Sequence, residues 1–248
     1  MTHPQTEFLG VPFDTLDLAS TEAWLVDRAA DAPFAFIITP NVDHVVKLDA
    51  APANAEIRKA YAGAALRLCD SRILARLARM RGIELPVVPG SDLTAHLVMR
   101  IARAGDRLCL IGGDAAMLDD LRALRPDLDI LQHVPPMGML RKPEAMSEAE
   151  AFVRDAQARF TLLAVAMPQQ EILALRVAQA GRAVGVGLCV GASLDFLTGR
   201  KARAPLWMQK ASLEWLHRLL SEPGRLWRRY LVEGPRIFLL TMRWWKTP

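Results

Sequence analysis

The sequence predicts an α/β protein in which a mostly parallel sheet is covered by helices on both faces and is followed by a basic, helical appendage. Short apolar runs alternate with amphipathic stretches as far as Gly199, a pattern typical of parallel strands joined by crossover helices. A chain of 248 residues with 52% hydrophobic content can bury a core of this size. After Gly199 the strand pattern stops, and the chain becomes helical and rich in arginine.

The elements follow one another in a regular order. Six apolar runs of strand length occupy residues 34–38, 66–69, 108–111, 128–131, 162–166 and 183–190. Apolar spacing of three and four residues predicts helices over 56–63, 73–81, 93–104, 115–124, 148–159 and 170–180. The stretch 134–147 holds three prolines and one glycine, so we expect an exposed loop there. The change in composition divides the chain into an α/β core, 1–203, and an appendage, 204–248.

Polar residues and glycines follow the strands at the points where the strands end. Because ligands of open α/β sheets bind beyond the carboxyl ends of the strands, this edge is the predicted ligand-binding rim. The rim comprises Thr39-Pro40-Asn41, Asp70, Gly112-Gly113-Asp114, Gln132-His133, Met167 through Glu171, and Gly191 through Asp195.

Most rim residues also have an ordinary structural explanation. Asp70 precedes a predicted helix, so on its own it is better explained as a helix N-cap than as a general base. The Gly112-Gly113-Asp114 turn could admit a phosphate or ribose, but a plain strand-to-helix turn explains it more simply. Gln170 and Glu171 begin a helix, where the helix dipole favours a carboxylate.

The basic residues are concentrated at one end of the chain. The net charge is +4, yet residues 200–248 contain eleven Lys and Arg against three Glu, together with five of the six tryptophans. Such asymmetry points to a partner that carries phosphate, either nucleic acid or an anionic membrane surface. The alternative is a solvated terminal helix that packs on the core through its Leu and Trp side chains.

Several classes of protein are disfavoured. No apolar run reaches the roughly 18–20 residues that a membrane-spanning helix needs, and the first ten residues do not resemble a secretory signal. The three cysteines lack C-x-x-C spacing, so we expect buried thiols in a reducing compartment. The five histidines show no ligand spacing, so no metal site is expected. There is no P-loop, no G-x-S-x-G and no G-x-G-x-x-G that opens a helix.

An ordered set of short motifs runs through most of the chain. The motifs are T-P-N at 39–41, P-G-S-D-L at 89–93, I-G-G at 111–113, P-x-Q-E at 168–171, G-A-S-x-D-F-x-x-G at 191–199, R-A-P-x-W-M-Q-K at 203–210, L-E-W-x-x-R-L at 213–219 and E-P-x-R-x-x-R-R-Y at 222–230. Each is weak alone. Their order and the long match through the last third resemble the WecG/TagA/CpsF family of glycosyltransferases, which is glycosyltransferase family 26.

This resemblance implies a Rossmann-like fold of the GT-E type and an inverting, metal-independent transferase that needs no cofactor. The donor would be a UDP-sugar of the hexosyl or N-acetylhexosaminyl type. The acceptor would be a polyprenyl-diphosphate-linked sugar used in cell-envelope or exopolysaccharide synthesis. The resemblance further implies a cytoplasmic protein, bound peripherally to the anionic inner face of the cell membrane, with no nucleic-acid partner; a homo-oligomer is left open.

The resemblance also implies site residues. The family's proposed base falls on Asp70, with Thr39 and Asn41 nearby as further catalytic residues. A pocket glutamine falls on Gln170, and appendage arginines fall on Arg218, Arg225 and Arg228. Rim position adds Gly112, Gly113, Asp114, Glu171 and Asp195 to the predicted substrate-binding set.

Two positions depart from the family pattern. The family commonly has Asp-Gly where this chain has Asp70-Ser71, and commonly has an arginine where this chain has Val87. The first alters a turn and the second removes a contact to phosphate or sugar. Both leave the identity of the donor and the acceptor open.

Two other functions remain as alternatives. One is a Rossmann-type NAD-dependent oxidoreductase or epimerase, which the missing glycine fingerprint disfavours. The other is a non-catalytic membrane-binding subunit that uses only the basic appendage, which the match of the rim residues as a set disfavours.

Overall fold

The computed structural model describes residues 3–246 and contains two sheets. The strands are β1 (Gln5–Phe8), β2 (Val11–Asp14), β3 (Ala35–Ile38), β4 (Leu66–Arg67), β5 (Arg107–Gly112), β6 (Asp129–His133), β7 (Phe160–Ala164) and β8 (Val186–Cys189). The first two form an antiparallel hairpin. The other six form one parallel sheet in the order β4-β3-β8-β7-β5-β6. The predicted α/β class with a parallel sheet is therefore confirmed.

Helices join the strands and make up the last part of the chain. They are α1 (Leu18–Asp27), α2 (Val42–Ala50), α3 (Glu56–Gly63), α4 (Arg72–Arg79), α5 (Gly90–His96), α6 (Ala115–Leu124), α7 (Pro143–Ala156), α8 (Gln169–Ala180), α9 (Ser193–Leu197), α10 (Leu206–Ala211), α11 (Glu214–Ser221), α12 (Pro223–Trp227) and α13 (Arg236–Trp245). Two π-helical segments, Leu97–Ile101 and Arg228–Glu233, extend α5 and α12.

The parallel sheet separates two apolar cores, one on each face. Successive side chains of a strand point to opposite faces, so in β3 Phe36 and Ile38 enter one core while Ile37 enters the other. Helices α2, α3, α4, α7 and α8 cover the first face. Helices α1, α5, α6 and α9 cover the second face. Burial on both faces explains why these strands are continuous apolar runs in the sequence.

All six strands expected from apolar runs are present, with ends shifted by up to three residues, but two details differ. The hairpin of β1 and β2 was not expected, since its strands have only four residues each. The expected loop 134–147 is shorter, because α7 begins at Pro143. Proline is compatible with the first turn of a helix, and Ala145 and Met146 already bury their side chains there.

The hairpin is fixed to the edge of the large sheet by a buried ion pair. Asp14 lies 3.0 Å from Arg67 Nη2 and also accepts a hydrogen bond from the Arg67 backbone N–H at 2.7 Å. Arg67 donates further to the carbonyls of Tyr61 and Ala64. These bonds hold β4, and therefore the residues that follow β4, in place.

The C-terminal segment, defined here as α10 to α13, packs along the first core. Arg76 of α4 donates to the carbonyls of Lys210 and Ala211 at 3.1 and 3.2 Å. In α13, Ile237 is 1% exposed, and the Trp244 ring meets the Phe8 ring edge-on with centroids 5.3 Å apart. The expected boundary at 203–204 falls in the connection between α9 and α10.

Candidate active site

A cleft of about 710 Å³ opens between the edge of the sheet and the C-terminal segment. Its sheet side is formed by residues that follow β3, β4, β7 and β8. The chain winds from β3 to β4 in one direction and from β5 to β6 in the other, so the crevice lies next to the switch in winding direction where open α/β sheets bind ligands. Its other side is formed by residues between Lys201 and Phe238.

Asp70 lines the cleft three residues after the end of β4, and its carboxylate does not cap α4, the helix that follows it. The N-cap of α4 is Ser71, whose Oγ accepts a hydrogen bond from the Leu74 N–H at 3.2 Å. Asp70 Oδ1 instead accepts a hydrogen bond from the Gly90 N–H at 3.2 Å. The N-cap explanation that the sequence favoured for an isolated aspartate is therefore wrong.

The surroundings of Asp70 favour its protonated form. Burial raises the pKa of the Asp70 carboxyl to about 7, and the nearby Glu214 carboxylate adds to that rise. The Gly90 N–H, Arg218 and the Asn41 amide act in the opposite direction. A carboxyl group with a pKa close to neutral suits a general base that must take up a proton during turnover.

Thr39 and Asn41 flank Asp70 and are held by contacts of their own. The Oδ1 atom of Asn41 caps α2, accepting from the Asp43 N–H at 3.1 Å, so the amide nitrogen is the group left for Asp70. Thr39 lies against Gly90, where an added Cβ would come within 2.8 Å of Thr39 Oγ1. The structure thus brings all three predicted catalytic residues to one place.

The cleft carries an excess of positive charge. Its basic side chains are Lys47, Arg72, Lys201, Arg203, Arg218, Arg225 and Arg229, and its acidic side chains are Asp43, Asp70, Asp195 and Glu214. Of these cations, Arg218 alone makes no ion pair with a carboxylate of residues 3–246. Its guanidinium carbon lies 5.5 Å from the centroid of the Phe196 ring, a cation–π distance. Arg218 is therefore available to an anionic ligand.

The adjacent arginines 228 and 229 are in different surroundings. Arg228 lies outside the cleft, with its side chain 75% exposed and an ion pair to Glu233. Arg229 lines the cleft and lies 3.3 Å from Asp43 Oδ2, which Lys47 also contacts at 2.8 Å. Sequence analysis missed Arg229, because two neighbouring arginines on a helix cannot be assigned to a face unless the helix register is known.

Asp195 and Arg225 line the cleft on either side of a small ionic network. Lys201 Nζ lies 3.1 Å from both Asp195 Oδ2 and Glu222 Oε1. Glu222 also pairs with Arg225. The network joins α9 to the C-terminal segment.

Gln170 lines the cleft and connects two strand ends. Its Oε1 accepts a hydrogen bond from the Gly191 N–H at 3.0 Å, and its Nε2 donates to Glu171 Oε1 at 2.8 Å. Glu171 is 0% exposed and does not line the cleft. Burial raises the pKa of the Glu171 carboxyl to about 7.

Gly112, the last residue of β5, and the two residues that follow it, Gly113 and Asp114, lie outside the cleft lining. Gly112 and Gly113 have positive φ angles of 98° and 71°, and an added Cβ would lie 2.8 Å from the Ala164 carbonyl and 2.9 Å from Met117 Sδ respectively. Asp114 caps α6 and pairs with Arg200. Backbone conformation and packing explain these glycines, and a substrate contact for the three residues stays a prediction.

The end of the cleft near α13 is apolar. Trp215 and Tyr230 lie with ring centroids 6.2 Å apart, and Leu231, Pro235 and Phe238 continue the lining. Val87, the position at which the resemblance implied an arginine, also lines the cleft. The motifs L-E-W and R-R-Y contain both aromatic residues, but their spacing alone gave no sign that the two would meet.

No group of three His, Cys, Asp or Glu side chains within residues 3–246 is placed to hold a metal ion. No helix in the same range is long and apolar enough to cross a membrane.

Comparison with known protein families gives one match of nearly full length. The profile described as the glycosyl transferase WecG/TagA/CpsF family matches residues 6–248. The match includes both the sheet and the C-terminal segment, so both sides of the cleft fall within one family domain.

Proposed function

This chain belongs to the glycosyl transferase WecG/TagA/CpsF family, and from that premise we propose that it moves a sugar, with inversion, from a UDP-sugar to a polyprenyl-diphosphate-linked sugar. The product would serve cell-envelope or exopolysaccharide synthesis. The observation that carries the proposal is the Asp70 carboxyl, which does not cap α4, has a pKa of about 7 and lines a cleft with an arginine-rich side.

In the proposed reaction, the ionised Asp70 carboxylate accepts the proton of the attacking hydroxyl group of the acceptor. The hydroxyl oxygen forms a bond to the anomeric carbon as the bond from that carbon to the diphosphate oxygen breaks. A single displacement of this kind inverts the anomeric centre. Gly90 and Asn41 hold the carboxylate in place by hydrogen bonding.

The departing UDP carries negative charge that must be compensated. Arginine side chains suit this task because the planar guanidinium group can donate two parallel hydrogen bonds to phosphate oxygens. Arg218 is the strongest candidate, since it has no carboxylate partner among the described residues, and Arg225 and Arg229 lie on the same side of the cleft. The resemblance also implied that Arg228 binds substrate, but Arg228 is exposed outside the cleft, so we assign it a role at the surface.

We propose that the C-terminal segment carries the acceptor side of the reaction and contacts an anionic membrane at the inner face of the cell. The apolar end of the cleft continues onto exposed side chains of the segment. These include Leu231, Val232, Phe238, Leu239 and Met242, accompanied by the exposed cations Arg236 and Lys246. A basic surface with apolar side chains suits an anionic membrane and a lipid-linked substrate.

Product analysis tests the proposal. The purified protein is incubated with UDP-hexoses and UDP-N-acetylhexosamines, each with a panel of short-chain polyprenyl-diphosphate sugars, and products are identified by mass spectrometry and by NMR of the new linkage. We expect one donor to give an acceptor one sugar heavier, with inverted anomeric configuration and equimolar UDP. Retention of configuration, or transfer by Asp70→Asn at the wild-type rate, would contradict the mechanism.

We also expect turnover to be unchanged by EDTA and by subsequent Mg²⁺ or Mn²⁺. The reason is that the cleft arginines can supply the charge compensation that a divalent cation supplies in other glycosyltransferases. Initial rates with and without chelator decide the point, and a strict metal requirement would overturn the role assigned to the arginines.

A further inference from the structure

A buried chain of hydrogen bonds lies behind the cleft. It runs from Glu171 Oε1 to Gln170 Nε2 at 2.8 Å, and from Gln170 Oε1 to the Gly191 N–H at 3.0 Å. Gln170 is 2% exposed and Glu171 is 0% exposed. These hydrogen bonds connect the start of α8, which follows β7, to the turn after β8. They therefore join two of the strand ends that form the cleft.

Packing does not explain the carboxyl group of Glu171. Its second oxygen, Oε2, is buried with no hydrogen-bond partner among the residues described. Burying a carboxyl group with one oxygen unpaired is unfavourable, and an apolar side chain would fill the same space without that penalty. Burial raises the pKa of Glu171 to about 7 accordingly. Glu171 does not line the cleft, whereas Gln170, which donates a hydrogen bond to it, does.

That contact fixes the orientation of the Gln170 side chain. A glutamine amide can turn by about 180° at its last torsion, exchanging its oxygen and nitrogen, and the two ends are similar in shape. The Gly191 N–H requires the oxygen on one side. Glu171 Oε1 has lone pairs in either protonation state, so it can accept from the nitrogen on the other side. Both partners are therefore satisfied in one orientation, in which a second N–H of Nε2 remains for a ligand.

We propose that Glu171 is a positioning residue, which holds the Gln170 amide so that its remaining N–H can donate to an oxygen atom of the bound substrate. The oxygen belongs to a sugar hydroxyl or to a phosphate. This inference rests on the proposed function for its effect on turnover, but the orientation of the amide can be tested without it.

The experiment compares substitutions that keep or remove the hydrogen-bond acceptor. Glu171→Gln keeps an oxygen for Gln170 and a similar shape, whereas Glu171→Leu removes the acceptor. Glu150→Leu is the matched control. Glu150 of α7 pairs with Arg176, which lies in the same helix as Glu171, but Glu150 does not line the cleft. The readouts are kcat, KM, melting temperature and the side-chain amide NMR signal of Gln170, assigned from its absence in Gln170→Met.

We expect Glu171→Leu to lower kcat/KM at least tenfold and to shift the Gln170 amide signal. Glu171→Gln should restore kcat/KM to within about threefold of wild type, and Glu150→Leu should leave it unchanged. In the Gln170→Met background, Glu171→Leu should have no further effect, since coupled residues are not additive. A substitution that acted only on stability would lower the melting temperature and be no better tolerated as glutamine.

The proposal is overturned if Glu171→Leu keeps wild-type kcat/KM and amide signal, or if its loss of activity persists at full size in Gln170→Met. If Glu171→Leu does not fold, Glu171→Ala takes its place. Failure of the proposed function has a different result: the wild-type protein transfers no sugar, while the amide signal of Gln170 still reports whether Glu171 orients it.

Discussion

The two sides of the cleft are built differently. On the sheet side, Thr39 and Gln170 are buried. Asp70 and Gln170 accept hydrogen bonds from backbone N–H groups, Asp70 from Gly90 and Gln170 from Gly191. On the opposite side, α11 contains no fully buried residue. Arg218 of α11 contacts the Phe196 ring, and Arg225 of α12 pairs with the carboxylate of Glu222. One side is fixed by the folding of the core, and the other is held by side-chain contacts.

This difference suggests that the two sides of the cleft have different roles in the reaction, proton transfer on the sheet side and charge compensation on the C-terminal side. Groups that transfer protons need accurate placement, which buried strand ends provide. Groups that compensate charge tolerate looser placement, because electrostatic attraction falls off slowly with distance. We therefore expect substitutions on the sheet side to lower kcat strongly, and substitutions on the C-terminal side to have smaller effects that are shared between kcat and KM.

The largest effect is expected at Asp70. Asp70→Asn keeps the shape of the side chain but cannot accept the proton, so turnover should fall about 10²–10⁴-fold. Initial rates at saturating donor and acceptor measure this fall, and circular dichroism verifies the fold. Turnover close to wild type would show that Asp70 has no role in proton transfer.

The same variant should gain stability above neutral pH. The folded pKa of Asp70 lies above its ordinary value of 3.8, so its contribution to stability is fully present below about pH 4 and is lost as pH rises through 7. The neutral amide of Asp70→Asn avoids this loss, and its melting temperature at pH 8 should exceed that of wild type by a few degrees. Equal melting temperatures at pH 8 would show that the carboxyl group is better solvated than its position indicates.

The pH dependence of wild-type activity is the next largest effect. Only ionised Asp70 can act as a base, so kcat/KM should rise tenfold per pH unit on the acid side and level off above about pH 7. At pH 5.5 this corresponds to about a 30-fold loss relative to the plateau. Rates from pH 5 to 9 with a soluble acceptor test this, and a flat profile down to pH 5 would exclude Asp70 as the titrating base.

On the C-terminal side of the cleft, substitutions of arginines inside and outside the cleft can be compared. Arg218→Ala and Arg229→Ala should each lower kcat/KM about tenfold or more, since both line the cleft, whereas Arg228→Ala should change it less than twofold. Arg228 and Arg229 are adjacent, so each is a control for the other. Equal losses for the two would mean that the charge of the segment matters but the direction of the side chains does not.

Sequence reasoning predicted the six-stranded sheet because strands buried on both faces are apolar throughout, as in β8. It could also predict that Asp70, Thr39 and Asn41 lie close together, because the carboxyl ends of parallel strands meet at one edge of the sheet. It could not exclude that Asp70 is a helix cap, since that depends on Ser71 taking the role. It could not separate Arg229 from Arg228, or Gln170 from Glu171, because those differences arise from helix register and from contacts between distant loops.

The smallest effect on turnover is expected at the outer surface of the C-terminal segment, where we propose membrane contact. Arg236→Ala should weaken binding to vesicles that contain an anionic phospholipid about fivefold, since one basic residue near such a surface contributes about 1 kcal/mol. Turnover with a soluble acceptor should not change, because Arg236 is exposed and does not line the cleft. Vesicle co-sedimentation and initial rates measure the two effects separately.

Arg100→Ala is the matched control for this last comparison. Arg100 is also exposed, but it lies beside Val98 and Ile101 in the core on the opposite face of the sheet, whereas Ile237 of α13 packs in the first core. Its loss should leave vesicle binding unchanged if the membrane contacts the C-terminal segment. Equal weakening by both substitutions would indicate attraction by net charge alone. Loss of soluble-acceptor turnover in Arg236→Ala would instead extend the reactive side of the cleft to α13, and the two sides could no longer be assigned separate tasks.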